Sequence, residues 1–128
     1  MGYGFALNKD FYLIAGFIAI ATITVSSVLK IVLRRSRPVN QYVENMLFKT
    51  FSFPSGHAAG SLVSYGLVAI VISYRWPELA IAALATVAIV IFFIGLSRVY
   101  LGAHYASDVI GGWIVGLIGV IAIILLDK

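Results

Sequence analysis

The run FYLIAGFIAIATITVSSVL, Phe11 to Leu29, carries no charge over 19 residues. A spanning helix needs about 20 mostly apolar residues, so this stretch by itself reads as a bilayer crossing. Three further segments qualify or nearly so: Ala58 to Tyr74, Leu79 to Leu96 and Val109 to Leu126. In lipid the backbone has no water to bond with, and a helix satisfies its own polar groups. The expected fold is therefore all-α, an integral membrane bundle of four transmembrane helices, with residues 1–128 forming one membrane-embedded domain.

Composition agrees. The chain is 62% hydrophobic and 11% charged, with a mean hydropathy of +1.05, which leaves no length for a soluble domain. With no cysteines, disulfides, thiolate catalysis and thiolate metal sites are all excluded. The net charge of +4 is small, but Lys30, Arg34, Arg35, Arg37 and Lys49 fall within one loop and its edges. A basic cluster beside a membrane helix reads as a cytoplasmic flank or as attraction to anionic membrane lipids; nucleic acid is not an expected partner.

Met1 to Asp10 has no basic leader region, and no small-residue cleavage site follows the first apolar run, so that run is expected to be retained. Lys30 at its end can snorkel to the interface. A myristoylation pattern fails at Ala6. The longest polar stretch, Ile31 to Ser55, contains Pro38 and Pro54. Within it, Val39 to Phe53 mixes aromatic and polar residues, which suits either a segment at headgroup level or a plain loop with belt aromatics. Pro54-Ser55-Gly56-His57 opens the second helix, with the proline expected in its first turn. The free amides of such a turn favour a phosphate, although this motif alone reads equally as a Ser-capped helix with a surface histidine.

Arg75-Trp76-Pro77-Glu78 forms a short turn between the second and third helices, with Tyr74 and Trp76 at an interface. Small residues Ala59, Gly60, Ser61 and Ser64 on the second helix, and Gly112, Gly116 and Gly119 on the fourth, predict close approach of those two.

Between the last two apolar runs lies Ser97-Arg98-Val99-Tyr100-Leu101-Gly102-Ala103-His104-Tyr105-Ala106-Ser107-Asp108. If helix begins at His104, Asp108 stands one turn on and can accept a proton from one imidazole nitrogen. The other nitrogen is then free to attack, with Arg98 holding an anion. Taken alone, the stretch supports helix capping at the membrane surface as well as it supports catalysis. Counting crossings tips the balance. Four spans place Lys30 to His57 and Ser97 to Asp108 on one face, with Arg75, Glu78 and both termini opposite. Lys30, Arg37 and Arg98, with Ser55 and the amides around Gly56, then describe a pocket for a phosphate dianion. His57 and His104 divide the acid and base work. Two histidines without an acidic cluster or cysteine are a weak metal signal, so neither metal nor cofactor is expected.

In order, Lys30 to Pro38 reads K-x6-R-P, Pro54 to His57 reads P-S-G-H, and Ser97 to Asp108 reads S-R-x5-H-x3-D. These resemble the three signature motifs of the type 2 phosphatidic acid phosphatase superfamily, the membrane lipid phosphatases that share an active-site plan with vanadium haloperoxidases. The resemblance covers residues 30 to 108 and fills every signature position. It implies His104 as the nucleophile that forms a phosphohistidine, Asp108 as its orienting acid, and His57 as proton donor to the leaving oxygen. Lys30, Arg37, Ser55, Gly56 and Arg98 would cradle the phosphoryl oxygens. The implied substrate is a lipid phosphate: phosphatidate, phosphatidylglycerol phosphate or a polyprenyl diphosphate. A catalytically silent phospholipid-binding or scaffold protein is the alternative, and retention of His57, His104 and Asp108 weighs against it.

Membrane members of that family typically carry two more helices ahead of the first motif. The resemblance therefore implies a short form, and self-association is one way to replace the missing helices. It also implies an active face outside the cytoplasm of a bacterial or archaeal plasma membrane. The basic residues point the other way until Lys30, Arg37 and Arg98 are set aside as phosphate ligands; three then remain on each face, Arg34, Arg35 and Lys49 against Lys9, Arg75 and Lys128.

Overall fold

The computed structural model describes residues 9–126. The expectations placed on residues 1–8 and on Lys128, including the missing basic leader region, the mismatch at Ala6 and the terminal charge, lie outside the described residues. The elements are α1 (Lys9–Leu33), α2 (Gln41–Glu44), α3 (Gly56–Arg75), a 3-10 turn (Pro77–Leu79), α4 (Ala80–Tyr100) and α5 (Ala106–Leu126). Among the described residues four helices are long and apolar enough to cross a membrane, so the expected all-helical bundle is found. Each runs past the apolar segment that marks it, because flanking polar residues such as Lys9, Arg75 and Ser107 continue the same backbone hydrogen bonding.

Inside α1 three hydroxyls are satisfied by the helix itself, while the buried Ser26 hydroxyl has no hydrogen-bond partner among the described residues. Thr22 Oγ1 donates to the Ile18 carbonyl at 2.8 Å, Thr24 Oγ1 to Ile20 at 2.9 Å and Ser27 Oγ to Ile23 at 3.0 Å. This removes the cost of bringing a free hydroxyl into hydrocarbon. The helix stops where Arg34 turns left-handed, at φ +49°, while its N–H still reaches the Lys30 carbonyl at 3.0 Å.

Helix α3 lies centrally, packed against α1, α4 and α5, and α1 also packs on α5. Phe11, Ala15, Val63 and Ile123 form a buried cluster where α1, α3 and α5 meet. Helix α4 is the most peripheral; only Gly95 is buried along it, and its apolar side chains face outward as a lipid-exposed helix requires.

The close approach expected of α3 and α5 occurs, with a different division of labour. A Cβ on Gly112 would run into the Ser55 carbonyl, and one on Gly116 would lie 2.7 Å from the Ala59 carbonyl. Gly119 instead admits Thr22 of α1, Gly60 faces Ile23 of α1, and Ser64 is exposed. Pro54 sits outside α3 rather than in its first turn. Ser55 is the N-cap, and its hydroxyl accepts the Ala58 N–H at 3.3 Å, so the helix cannot begin before Gly56. The segment from Val39 to Phe53 is mostly irregular, with only α2 regular, capped by Asn40 through Val43 N–H at 3.0 Å.

Candidate active site

Two loops of the same face meet between the helix ends. Arg37, four residues beyond α1, joins them. Its Nε donates to the Thr50 carbonyl at 2.7 Å and one terminal nitrogen to Thr50 Oγ1 at 3.0 Å. The other terminal nitrogen reaches the Ala103 carbonyl at 2.9 Å and lies 3.3 Å from His104 Nε2. Lys30, at the last turn of α1, donates to the Phe51 carbonyl at 3.2 Å. Its Cε lies 3.8 Å from where a Cβ of Gly56 would stand, so the ammonium stem lies across the start of α3.

Just past the end of α4 comes Gly102, whose φ of +72° is one that glycine adopts without a Cβ clash. Asn40 donates to its carbonyl at 2.8 Å, and that close approach leaves no space for a side chain at Gly102. The reversal turns the chain back so that the Arg98 carbonyl accepts the N–H groups of Ala103, at 3.0 Å, and His104, at 3.2 Å. Thus Arg98 holds the His104 backbone. His104 is 4% exposed and Asp108 is fully buried.

The expectation of helix from His104 onward is corrected here: α5 starts at Ala106. His104 Nδ1 lies 3.6 Å from Asp108 Oδ2, an ion-pair separation too long for a hydrogen bond, and Nδ1 has no hydrogen-bond partner. The reason is competition. Asp108 Oδ2 accepts from Ser52 Oγ and from the Tyr105 N–H at 2.8 Å, and Oδ1 accepts from Arg35 at 2.9 Å. The contact with Tyr105 is one half of a capping box at the start of α5. Capping and proximity to His104 therefore coexist in one carboxylate.

Ser55 is fully buried, and its N–H donates to the Asp108 carbonyl at 2.8 Å, which locks the start of α3 onto the first turn of α5. His57, next to Gly56, is exposed, and the charges of Arg98, Lys30 and Arg37 all reach it. All eight residues singled out from the sequence, Lys30, Arg37, Ser55, Gly56, His57, Arg98, His104 and Asp108, thus gather on one face. Arg35, Thr50 and Ser52 belong to the same network and were not singled out. Arg35 was hidden in the basic run, and Thr50 and Ser52 carry no signal in an irregular segment.

Burial, and then the positive charges of Arg37 and Lys30, push the His104 imidazole down to about 4, with Asp108 partly opposing them. At neutral pH the ring is uncharged, with Nε2 turned toward the arginine and Nδ1 toward the carboxylate. Such a ring can act as a nucleophile through Nε2. A cavity of about 350 Å³ adjoins Arg37 on its loop side, lined by Asn40, Glu44, Lys49, Thr50 and Phe51 among others; neither histidine lines it. Among the described residues no three His, Cys, Asp or Glu side chains gather as a metal would need.

The sequence profile of the PAP2 superfamily matches residues 11–128. The chain belongs to the PAP2 superfamily. Among curated relatives of this PAP2 chain, phosphatidylglycerophosphatase B of Bacillus subtilis is 35% identical over 98 residues, which is 73% of this chain and 46% of that protein. An undecaprenyl-diphosphatase of Sulfolobus acidocaldarius is 33% identical over 102 residues, 76% of this chain and 46% of that one. The crystal structure of a transmembrane PAP2 type phosphatidylglycerolphosphate phosphatase from Bacillus subtilis superimposes with a TM-score of 0.80 at 28% identity. It covers 90% of this chain and 58% of that one. The PAP2 chain thus spans about half the length of the curated relatives it matches.

Proposed function

We propose that this PAP2 chain is a membrane phosphatase that hydrolyses the phosphomonoester or diphosphate of a lipid through a phosphohistidine on His104. The observation that carries the reading is the 3.3 Å contact between Arg37 and His104 Nε2, which sets a phosphate-binding cation of one loop against the attacking atom of the other. A phosphoryl group that takes over the Arg37 donor leaves the Nε2 lone pair free and aimed at phosphorus. Attack forms the N–P bond as the P–O bond to the lipid breaks, and His57 gives its proton to the departing oxygen. Water then adds to phosphorus, the N–P bond breaks, and the water proton returns to His57. Lys30, Arg37 and Arg98, with the Gly56 amide at the start of α3, stabilise the charge on the five-coordinate phosphorus, while the Ser55 N–H, expected to join them, is held by the Asp108 carbonyl at 2.8 Å. Asp108 steadies the imidazole from its Nδ1 side.

The relatives named above act on phosphatidylglycerol phosphate and undecaprenyl diphosphate, both phosphates on long apolar anchors, and this supports the same substrate class here. The loop cavity beside Arg37 is suited to the remainder of the head group, while the tail lies among the outward apolar faces. An extracytoplasmic active face and association with a second copy belong to the same reading. The test is release of inorganic phosphate from a panel of lipid phosphates by purified protein in EDTA, wild type against His104→Ala. Wild type is expected to turn over at least one lipid and the variant none; equal rates for the two would sink the proposal.

A further inference from the structure

Three donors converge on the Asp108 carboxylate, and His104 is not one of them. Ser52 Oγ and the Tyr105 N–H share Oδ2, the oxygen that faces His104 Nδ1 across 3.6 Å. Arg35 takes Oδ1. Ser52 is fully buried, and its N–H donates to the Arg35 carbonyl at 2.7 Å, so the two side chains are delivered to the carboxylate as a unit. Arg35 is held in turn by Ser107 Oγ at 2.7 Å and by the Tyr105 ring, 4.5 Å beneath its guanidinium. Neither Ser52 nor Arg35 belongs to the three signature motifs.

We infer that Ser52 and Arg35 are positioning residues, which occupy the Asp108 carboxylate so that it orients His104 without drawing a second proton onto the imidazole. The inference rests on the reading of His104 as nucleophile. A buried carboxylate short of donors gains most by pairing with an imidazolium, and an imidazolium has no lone pair on Nε2 with which to attack. With three donors in place the negative charge is already compensated, and the ring stays neutral. The other charged groups that act on His104 are Arg37 and Lys30, while the charge of Arg98 acts on His57. The Ser52 backbone also bears on the ring, and Ser52→Ala leaves that backbone group in place.

The test uses the full chain in bicelles and a short-chain phosphatidate as substrate. Ser52→Ala is expected to lower kcat near pH 7 by about ten- to a hundred-fold, the worth of one hydrogen bond to a charged group, with KM little changed. The acid limb of its kcat profile should move to higher pH, and Ser52→Thr, which keeps the hydroxyl, should restore both. Arg35→Lys keeps the charge but loses the planar guanidinium that stacks on Tyr105 and sets one nitrogen between Ser107 and Asp108, so its limb should move the same way by less. A limb that stays in place while activity falls means a merely structural role and overturns the inference. In parallel, the His104 ring is titrated by NMR in histidine-labelled wild type and Ser52→Ala; an unchanged midpoint overturns it as well. This second measurement needs no turnover, so a wild type that releases no phosphate would end the proposed function while the titration still decides the role of Ser52.

Discussion

Adding one methyl group at Gly112 should separate α3 from α5 and displace the site with them. A Cβ there would overlap the Ser55 carbonyl oxygen and lie 2.8 Å from Ala58 Cβ and 3.2 Å from the Ala59 nitrogen. Two of those three atoms are backbone, so no rotamer change makes room. The overlapped residue, Ser55, is also the one whose N–H bonds the Asp108 carbonyl at 2.8 Å. Overpacking of this kind costs about 1–3 kcal/mol, and stretching that hydrogen bond adds about 1 kcal/mol. Gly112→Ala is thus expected to lose about 2–4 kcal/mol of unfolding free energy. Gly16→Ala is the control, because nothing lies within 4 Å of its added Cβ; relief of a mid-helix glycine gains up to about 1 kcal/mol. SDS titration in mixed micelles measures both, and phosphate release per folded molecule should fall for Gly112→Ala alone. Wild-type stability in Gly112→Ala, or equal losses in the two variants, would refute the reasoning.

Two further outcomes follow from the site. Arg37→Lys keeps a positive charge but not the fork that reaches Thr50, Ala103 and His104, so phosphate release should fall by roughly a hundred-fold; steady-state kinetics at saturating lipid would check it. The imidazole of His104, pushed down to about 4 in the fold, binds protons in the unfolded chain from about pH 6.5 downward. Between those limits the unfolded state holds more protons, so stability should decline as pH falls from about 6.5 to about 4. Unfolding titrations across that window should show a smaller decline in His104→Asn than in wild type.

How much of this was legible in the chain depends on the range over which each feature is decided. The spans from Phe11, Ala58, Leu79 and Val109 were visible because apolar length is a local property. The gathering of His57 and His104 followed from connectivity, since an even number of crossings returns the chain to the same face. Contacts across loops were not visible. Nothing near Arg35 in sequence distinguishes it from Arg34, yet Arg35 reaches Asp108 while Arg34 turns back to the Ile31 carbonyl at 3.1 Å. The left-handed turn at Arg34 sends the two side chains in different directions.

By itself, the sequence marked four candidate membrane spans, three ordered polar motifs that an even number of crossings would bring to one face, and which residue types are present for phosphate chemistry. These follow from hydrophobic length, parity of crossings and side-chain identity, none of which needs coordinates. Only the tertiary structure decided how the carboxylate of Asp108 is shared. Its oxygens have room for few donors, and packing of Ser52, Arg35 and the start of α5 against them holds His104 Nδ1 at ion-pair distance. That outcome is a competition among groups drawn from separate loops, and it is settled only when the helices bring them together.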